Sequence, residues 1–369
     1  MTGVVHLRSG QGLYGAERAL LALATATQPP LAPVVVSLVR PGREDALGDG
    51  ASQLGLEAVR IEAPGRLSLP ALGPLVRLAR RGLLHAHDYK SLLLALAAAA
   101  VARVPVVATF HGDTGHSRSV LAYEGLARRS ARWTSGVAAT SASLAARIRA
   151  RSPGVAVHVI PNGIRIGPCP GPAEREAARA ALGIPTETRV VAFLGRLSPE
   201  KAPELLLEAT RDTGTLVLFA GDGPLRAALQ AEGRGTQAQF LGFVSDVGPV
   251  LAAADVLALP SWTEGLPMAV LEAMAAGVPV VASAVGSLPQ VLGEGAGLLV
   301  PPGDTAALRA ALARLADPGL RASLAAAARA RVEARYGAEA MARSYLERLY
   351  QPALERARGR AAAPAVQPR

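Results

Sequence analysis

The sequence predicts an α/β protein with two doubly wound, Rossmann-like domains. Short apolar segments alternate with helical segments twice along the chain, once in each half. A stretch rich in proline and glycine, Arg165 to Pro172, separates the two arrays and is typical of a linker. Such alternation forms parallel sheets covered by helices, and ligands bind outside the carboxyl ends of the strands. We therefore expect a ligand-binding cleft between two domains.

The first array is predicted from apolar runs bounded by turn residues. Its strands are expected at 4–7, 33–38, 83–87, 106–110, 137–140 and 157–160. Its helices are expected from about residue 16 and at 69–80, 90–102, 122–131 and 142–151. The predicted N-terminal domain spans residues 1–165.

The second array repeats this alternation in residues 166–337, the predicted C-terminal domain. Its strands are expected at 189–194, 215–219, 239–241, 256–259, 278–282 and 297–300. Its helices are expected at 204–209, 224–231, 304–316 and 320–335, besides the one that follows Pro267. A terminal helix at about 338–357 is expected to pack back on the first domain, and residues 358–369, rich in proline and alanine, are expected to be disordered.

Composition indicates a soluble, cytoplasmic protein. The chain has 369 residues, and half of them are hydrophobic, which is enough for two cores. The longest apolar stretch, Ser91 to Val107, is interrupted by Arg103 and Pro105, so no membrane span is predicted. No signal peptide is recognisable at the start. The single Cys169 excludes an intramolecular disulfide framework and a cysteine-based metal site.

The net charge of +10 is concentrated in the first half. Residues 1–170 carry 19 Arg and Lys against 9 Asp and Glu, whereas residues 171–369 carry 20 against 20. Clusters occur at Arg77, Arg80 and Arg81, at Arg128, Arg129 and Arg132, and at Arg147, Arg149 and Arg151. Interleaved aromatic residues and nucleic-acid-binding modules are missing, so nucleic acid is not expected as a partner. The alternatives are an anionic membrane surface or a solvated arginine-rich face.

The most informative segment is Pro260 to Gly277, PSWTEGLPMAVLEAMAAG, which lies between two apolar strand segments. Pro267 is suited to the first position of a helix, and the amides of Met268 and Ala269 would lack acceptors within that helix. Free amides at a helix start favour an anion, most simply a phosphate. Glu264 and Glu272 would accept hydrogen bonds from sugar or ribose hydroxyls. The alternative interpretation is a capped surface helix.

A second group of polar residues follows the first strand of the C-terminal domain. Gly195 allows close approach to the backbone, and Arg196 and Lys201 bring two cations to the carboxyl end of the strand. Such a pair suits a diphosphate leaving group; the alternative is an ordinary surface loop. Asp222, within Gly221 to Pro224, fits a structural βα turn and helix cap better than a site.

In the N-terminal domain, the loop Gly10 to Gly15 would bring backbone close to a phosphate or sugar. His111 follows the strand at 106–110 and is expected to face the cleft; a lone histidine is more often structural. His85 and His87 lie on a neighbouring strand and would point the same way, but no carboxylate cluster accompanies them. A metal site is therefore not expected.

The chain resembles bacterial family 4 glycosyltransferases along nearly its whole length. The matching motifs include Tyr14 to Arg18, His85 to Asp88, Thr109 to Gly112, Pro161 to Ile164, Gly195 to Lys201 and Ala220 to Pro224. The most specific match is the segment that separates Glu264 from Glu272 by seven residues, with Gly286 downstream. The first-domain loop reads Leu13-Tyr14-Gly15, where many members have two adjacent glycines.

This resemblance implies the GT-B fold, a nucleotide-sugar donor and transfer with retention of configuration. It implies that Arg196 and Lys201, beside Gly195, hold the donor diphosphate and that Glu272 binds the ribose. Glu264 would contact the transferred sugar, and His111 would lie beside it. Gly15 would give the acceptor and the phosphate close access to its loop. The backbone from Gly265 and Leu266 through Pro267 and Met268 to Ala269 would surround the phosphate and bind it through its amides, except at Pro267, which has no N–H.

The expected reaction is transfer of a hexose-type sugar to a hydroxyl acceptor, in the synthesis of envelope glycans, exopolysaccharides or glycolipids. A UDP-sugar is favoured over a GDP-sugar, and the acceptor is expected to be a glycan or lipid-linked molecule. No further cofactor or metal is required, because Arg196 and Lys201 supply positive charge. The enzyme would work in the cytoplasm or at the inner face of the membrane. The alternatives are a different enzyme on the same fold, such as a nucleotide-sugar 2-epimerase or a glycogen-type phosphorylase, and a non-catalytic protein that binds sugar or the membrane surface.

Overall fold

A computed structural model describes residues 3–10, 12–65, 68–112, 125–126, 128–233 and 237–362. The chain divides into two compact units. The first unit combines Met1–Gly163 with Ala338–Arg369, and the second comprises Ile164–Gly337. Each unit contains one parallel sheet, so the predicted α/β class with two doubly wound sheets is confirmed.

The first unit contains a seven-stranded parallel sheet in the order β3-β2-β1-β4-β5-β6-β7. Its strands are β1 (Gly3–Ser9), β2 (Ala32–Val39), β3 (Glu57–Glu62), β4 (Gly82–Ala86), β5 (Val106–Phe110), β6 (Gly136–Ala139) and β7 (Val157–Val159). The order reverses at the β1–β4 pair, where the chain crosses from one side of the sheet to the other. Open α/β sheets bind ligands at such a switch point.

In the described part of the first unit, helices connect these strands, and several begin at polar caps. They are α1 (Gly15–Ala26), α2 (Ala46–Gln53), α3 (Leu72–Ala79), α4 (Tyr89–Ala102) and α5 (Ala142–Arg151), with 3₁₀ turns at Leu69–Ala71 and Ala131–Trp133. The carboxylate of Asp88 accepts a hydrogen bond from the Ser91 amide at 2.8 Å and thereby starts α4. Of the helix expected at 122–131, residues 122–124 and 127 lie outside the described part of the chain.

In the first unit, the sequence prediction missed β3 and α2. β3 is an edge strand that carries Glu57, Arg60 and Glu62, so its apolar pattern is weak. α2 contains Gly48 and Gly50, which have low helix propensity, and it is held by the Asp45 cap, whose carboxylate accepts from the Gly48 amide at 2.9 Å. In both elements, local propensity is overridden by pairing and packing in the folded unit.

The second unit contains a six-stranded parallel sheet in the order β10-β9-β8-β11-β12-β13. Its strands are β8 (Val190–Leu194), β9 (Leu216–Ala220), β10 (Ala238–Gly242), β11 (Val256–Leu259), β12 (Val280–Ser283) and β13 (Leu298–Val300). β8, β9, β11 and β12 are fully buried, which explains why they are near-continuous apolar runs. All six correspond to strands predicted from the sequence.

The helices of the second unit alternate with these strands. They are α6 (Pro172–Ala181), α7 (Pro203–Thr210), α8 (Arg226–Glu232), α9 (Gly248–Ala253), α10 (Met268–Ala275), α11 (Leu288–Leu292), α12 (Thr305–Arg314) and α13 (Pro318–Arg335), with a 3₁₀ turn at Pro199–Lys201. Within the described residues, no helix is both long enough and apolar enough to cross a bilayer.

The terminal segment packs on the sheet of the first unit. It forms α14 (Ala338–Tyr345), a π-helical turn at Leu346–Tyr350 and α15 (Gln351–Ala362), where the sequence suggested one continuous helix. Tyr345 and Tyr350 are buried in a core with Val4, Leu83 and Val107. The sequence predicts a disordered tail from residue 358. This prediction is wrong for residues 358–362, because the alanine-rich segment continues α15 as far as Ala362. Residues 363–369 lie outside the described part of the chain.

Candidate active site

Two turns at the carboxyl ends of β8 and β9 pack backbone against backbone. Gly195 has φ +154°, and a Cβ on Gly221 would lie 1.8 Å from the Gly195 carbonyl oxygen. The Leu197 amide donates to the Asp222 carbonyl at 3.0 Å. Asp222 itself is exposed, and its carboxylate accepts from the Gly223 amide at 2.7 Å. The interpretation of Asp222 as a turn residue is therefore supported, and the glycines permit the close approach. The expected helix cap is wrong, because the N-cap of the following helix is Leu225.

Lys201 and Glu264 form an ion pair at this end of the sheet. The Lys201 Nζ lies 2.6 and 2.7 Å from the two carboxylate oxygens of Glu264. The side chain of Glu264 is only 4% exposed, whereas that of Lys201 is 23% exposed. The Ser261 hydroxyl also donates to Glu264 Oε1, at 2.7 Å. An ammonium has three N–H groups, so one donor of Lys201 remains for a phosphate oxygen.

Backbone contacts hold the turn that carries Glu264. Gly286 has φ +57°, and a Cβ there would lie 2.0 Å from the Glu264 carbonyl oxygen. The Ser287 hydroxyl donates to the Gly265 carbonyl at 2.5 Å. In addition, the Trp262 amide donates to the Glu200 carbonyl at 2.9 Å, which ties this turn to the segment that contains Lys201. The carboxylate is therefore placed by two neighbouring loops.

The helix α10 begins one residue later than the sequence indicated. Pro267 is the extended N-cap with φ −73° and ψ 121°, and Met268 is the first helical residue. Proline has no N–H to donate, so the correction leaves the amides of Met268 and Ala269 as the first free donors. Leu266, Pro267 and Met268 are buried, and Ala269 is half-buried. The arrangement retains the features of an anion-binding helix start.

The other two residues expected at the donor site differ in exposure. Arg196 is exposed in the turn after β8, and its side chain has no hydrogen-bond or ion-pair partner among the residues described. Glu272 is half-buried on α10, slightly more than one turn after the helix start. The structure thus joins Lys201 directly to Glu264 and brings Arg196 to the same end of β8 as Lys201.

In the first unit, the loop that follows β1 leads into α1, and Gly15 is the first residue of that helix. Glu17 is buried and accepts hydrogen bonds from the Tyr14 amide at 3.2 Å and from Arg8 Nε at 2.7 Å. Arg8 also donates to the carbonyl of His87 at 2.5 Å. The charged residues of this motif therefore hold the loop in place around Gly15.

His111 lies directly after β5 and contacts a second histidine. Its Nε2 is 3.3 Å from Nδ1 of His87, and the two rings are stacked with centroids 5.6 Å apart. Burial lowers the pKa of His111 to about 3, the Arg8 guanidinium adds to this effect, and a side-chain hydrogen bond with Asn162 opposes it. The imidazole is therefore neutral at physiological pH.

Three further histidines lie together beneath this position. His6, His85 and His87 are fully buried, and each offers a ring nitrogen within 4.8 Å of the others. His85, however, already bonds Tyr350 through Nδ1 and Thr109 through Nε2, both at 2.8 Å. Both hydrogen-bond partners of His85 are neutral, and among the described residues this cluster offers a divalent ion three imidazoles and no anionic ligand. That no metal is required stays a prediction.

Sequence reasoning missed three residues of these sites. Ser261 is adjacent to the glutamate motif, and its hydroxyl becomes significant only because the turn folds back on Glu264. Arg8 and His6 lie on an apolar strand, where alternation alone gives them no special role. The signal that identifies His6 is its register: it is the direct Cα partner of His85 across the β1–β4 pair. That pairing joins residues far apart in sequence.

Models of two glycosyltransferase families match successive parts of the chain. The family described as Glycosyltransferase Family 4 matches residues 14–167, and the family described as Glycosyl transferases group 1 matches residues 174–331. The first match covers most of the first unit, and the second covers most of the second unit with the motifs around Lys201 and Glu264.

Curated relatives share part of this sequence. A D-inositol 3-phosphate glycosyltransferase of Saccharomonospora viridis is 42% identical over 180 residues, which is 43% of this chain and 42% of that protein. The chain therefore matches less than half the length of this relative. A protein of Mycobacterium tuberculosis with the same name is 38% identical over 136 residues, 34% of this chain and 28% of that protein.

Solved structures share the fold over nearly the whole chain. HepE of Anabaena in complex with UDP-glucose has a TM-score of 0.81 at 24% identity and covers 95% of this chain and 100% of its own. A sucrose-phosphate synthase from Thermosynechococcus elongatus has a TM-score of 0.77 at 23% identity, with 98% and 100% covered. These likenesses show the GT-B fold. Since the two family models together span residues 14–331 apart from the linker, the chain belongs to the family 4, group 1 glycosyltransferases.

Proposed function

We propose that this protein is a retaining glycosyltransferase that moves a hexose-type sugar from a nucleotide diphosphate to a hydroxyl acceptor. The observation that carries the proposal is the Lys201–Glu264 ion pair, at 2.6 and 2.7 Å, beside a helix start whose first two amides have no acceptor within the helix. A cation and free amides suit a phosphate, and a nearly buried carboxylate suits sugar hydroxyls. The exposed Arg196 adds a second cation at the same strand end.

The proposed roles follow from the charge that develops during transfer. The bond from the sugar C1 to the diphosphate oxygen breaks, and its electron pair leaves with the diphosphate. Arg196, Lys201 and the amides at Met268 and Ala269 stabilise that negative charge, so no metal is required for this purpose. Glu264 holds hydroxyls of the transferred sugar, and Glu272 holds the ribose.

The acceptor hydroxyl attacks the same face of the sugar, within the ion pair formed by the leaving group. A new C1–O bond forms, and the acceptor proton passes to a diphosphate oxygen. His111 contacts the transferred sugar in this proposal, and Gly15 gives the acceptor access to the loop of the first unit. The neutral state of His111 fits a positioning role rather than proton exchange.

The donor is proposed to be a UDP-sugar in preference to a GDP-sugar. The solved complex of HepE with UDP-glucose supports this choice, because its fold covers nearly all of this chain. The acceptor is proposed to be a glycan or a lipid-linked molecule of envelope or exopolysaccharide synthesis. The name of the Saccharomonospora relative adds an inositol phosphate to the acceptors worth testing.

The proposed place of action is the cytoplasm and the inner face of the membrane. The excess positive charge before residue 171 supports contact with an anionic surface. One expected basic cluster needs correction, because Arg128 is buried and donates to the Tyr89 hydroxyl at 2.9 Å. Arg129 and Arg132 remain exposed, as do the clusters around Arg77 and Arg149.

Calorimetric titration with UDP, GDP and ADP, followed by transfer assays, tests the proposal. We expect the tightest binding with UDP, followed by transfer from a UDP-hexose to an acceptor with the anomeric configuration of the donor retained. Inverted product would refute the retaining mechanism. Isomerised donor formed without any acceptor would favour an epimerase. Binding without turnover over a broad acceptor panel would favour a non-catalytic sugar-binding protein.

A further inference from the structure

The amino ends of the strands in the first unit form an arginine-rich edge. Parallel strands begin at the same edge of their sheet, so the segments that lead into β4, β5, β6 and β7 lie side by side. These segments are residues 77–81, 101–105, 129–135 and 149–156, and we call them the amino edge. They contain three, one, two and two arginines respectively, and no acidic residue. All eight arginines are exposed.

The positive charge of the amino edge is largely uncompensated. Among the residues described, only Arg81 of these arginines has a carboxylate partner, Glu57, at 2.6 Å. Arg149 donates to the neutral carbonyl of Val157 at 2.7 Å. The opposite edge differs, because the segment that follows β2, Arg40 to Asp45, has two arginines and two acidic residues. Much of the excess positive charge of the first unit therefore lies at its amino edge.

Two large apolar side chains are exposed among these arginines. Val101 is 69% exposed near the end of α4, and Trp133 is 63% exposed in the turn before β6. The guanidinium of Arg132 lies over the indole of Trp133, 4.6 Å from the ring centre. Tryptophan is enriched at membrane–water interfaces, where its ring lies at the level of the headgroups, and arginine binds phosphate groups. The amino edge combines both features.

The helix dipole explains part of this pattern in another way. Arg77 lies in the last turn of α3, and Arg149 and Arg151 lie in the last turn of α5. Cations are favourable at the C-terminus of a helix even when they have no partner outside the protein. That effect does not account for an exposed tryptophan and valine between the arginines. A partner with anionic groups above an apolar interior accounts for both.

We propose that the first unit docks on an anionic lipid bilayer through its amino edge, with Trp133 and Val101 entering the headgroup region. The surrounding arginines bind lipid phosphates, and their attraction falls as salt screens the charges. This docking face deepens the proposed contact with the inner face of the membrane and rests on that part of the proposed function.

Docking through the amino edge fixes which edge of the sheet faces away from the lipid. The loop before Gly15 follows β1, and His111 follows β5, so both lie at the carboxyl edge. β5 has five residues, which at about 3.3 Å per residue span about 17 Å. The acceptor then has to reach at least that far beyond the headgroups. This favours a soluble glycan or a long lipid-linked glycan over a sugar attached directly to lipid.

The first test uses fluorescence, because the chain has only two tryptophans. Trp262→Phe leaves Trp133 as the reporter of the amino edge, and Trp133→Phe leaves Trp262, in the second unit, as the matched control. With vesicles that contain anionic lipid, emission from Trp133 should shift to the blue and be quenched by brominated lipid. Emission from Trp262 should change little. Vesicle-bound protein with unquenched Trp133 would overturn the proposal, as would a failure to bind these vesicles.

The second test compares two exposed apolar residues at opposite edges of the first unit. Val101 lies at the amino edge, whereas Leu69, which is 74% exposed, follows β3 at the carboxyl edge. Val101→Ser should weaken vesicle binding by about 3- to 10-fold, because less apolar surface leaves water on docking. Leu69→Ser should bind like the wild type. Equal affinities of the two variants would contradict docking through the amino edge.

The third test measures the orientation through the transfer reaction. Vesicles with anionic lipid, added until all the protein is bound, should leave the rate of transfer to a soluble acceptor unchanged, because the carboxyl edge stays open to water. Strong inhibition by the bound vesicles would show that the carboxyl edge meets the lipid and would overturn the proposed orientation. If the lipid-free protein transfers no sugar to any acceptor, the proposed function fails, and the fluorescence still tests the docking face.

Discussion

At the scale of single residues, the two cations of the candidate donor site differ in what surrounds them. Arg196 is exposed, whereas Lys201 is bound to a nearly buried carboxylate. The two should therefore respond differently to removal. Replacing Arg196 removes only the positive charge that it offers to a ligand. Replacing Lys201 removes such a charge and also leaves Glu264 without its cationic partner.

We predict that Arg196→Ala lowers turnover by about 100- to 1,000-fold, the loss typical of one charge-stabilising donor. Its thermal midpoint should stay near that of the wild type, because the described structure gives this side chain no hydrogen bond.

Lys201→Ala should lower turnover similarly and also reduce the free energy of unfolding, by about 1–3 kcal/mol. Steady-state kinetics and urea denaturation measure the two effects. Arg226→Ala, which removes a half-exposed arginine paired with Asp222, is the control and should leave turnover unchanged.

The two glutamates should separate nucleotide binding from sugar transfer. We predict that Glu272→Gln weakens binding of UDP by roughly tenfold or more, since a charged hydrogen-bond acceptor becomes neutral. Glu264→Gln should leave UDP affinity nearly unchanged and lower the rate of transfer, because its proposed partner is the sugar. Calorimetry with UDP alone and kinetics with the full donor measure these. Equal losses of UDP affinity in the two variants would refute the assignment.

At the scale of elements, the turn that carries Glu264 depends on a glycine in a neighbouring loop. We predict that Gly286→Ala destabilises the second unit and lowers turnover, because its Cβ would meet the Glu264 carbonyl at 2.0 Å. Gly295→Ala is the matched control: Gly295 also has a positive φ, +81°, but no atom of the described residues lies within 4 Å of its Cβ position. Thermal unfolding and kinetics of both variants separate the clash from backbone strain. Similar losses in both would show that the close approach is unimportant.

Elements with a strong apolar pattern were predictable, and those held by tertiary pairing were not. The buried strands β8, β9 and β11 are continuous apolar runs, so their positions follow from sequence. The charged edge strand β3 has no such pattern.

The candidate site likewise has residues that a sequence pattern reveals and a contact that only the folded sheet reveals. Gly195, Arg196 and Glu264 stand at strand ends and could be found by pattern, but the partnership of Lys201 with Glu264 joins residues 63 positions apart. It depends on the adjacency of β8 and β11 in the sheet.

At the scale of the whole molecule, buried histidines make stability depend on pH. Burial lowers the pKa of His6 and His111 to about 3 and also lowers that of His85 and His87. Above about pH 6.5 these rings are neutral in the folded and unfolded chains, so their contribution is fully present. Below that pH, only the unfolded chain gains protons. Stability is therefore lost as the pH falls from about 6.5 toward 3.

We predict that the free energy of unfolding of the first unit falls between pH 7 and pH 5. The slope should approach about 1.4 kcal/mol per pH unit for each fully buried histidine once the pH is below 6.5. Urea denaturation followed by tryptophan fluorescence in a Trp262→Phe background measures this free energy. Trp133 is then the only tryptophan of the chain, and it lies in the first unit. His85→Phe should reduce the slope by about 1.4 kcal/mol per pH unit, because the unfolded chain then takes up one proton fewer. A free energy that does not change over this range would contradict the prediction.

The unequal distribution of charge leads to a prediction about membranes. Arg77 and Arg80 are exposed on the basic first unit, and each basic residue near an anionic surface contributes about 1 kcal/mol. We predict that the protein sediments with vesicles containing anionic lipid and is released as salt rises, since exposed charges are screened beyond about 8–10 Å at physiological ionic strength. The double variant Arg77→Glu with Arg80→Glu should bind these vesicles more weakly. Reversal of Arg314 and Arg335, exposed on the second unit, changes the net charge equally and should have little effect. If the wild type stays in solution with anionic and neutral vesicles alike, the basic face is only solvated, and a soluble acceptor becomes the better proposal.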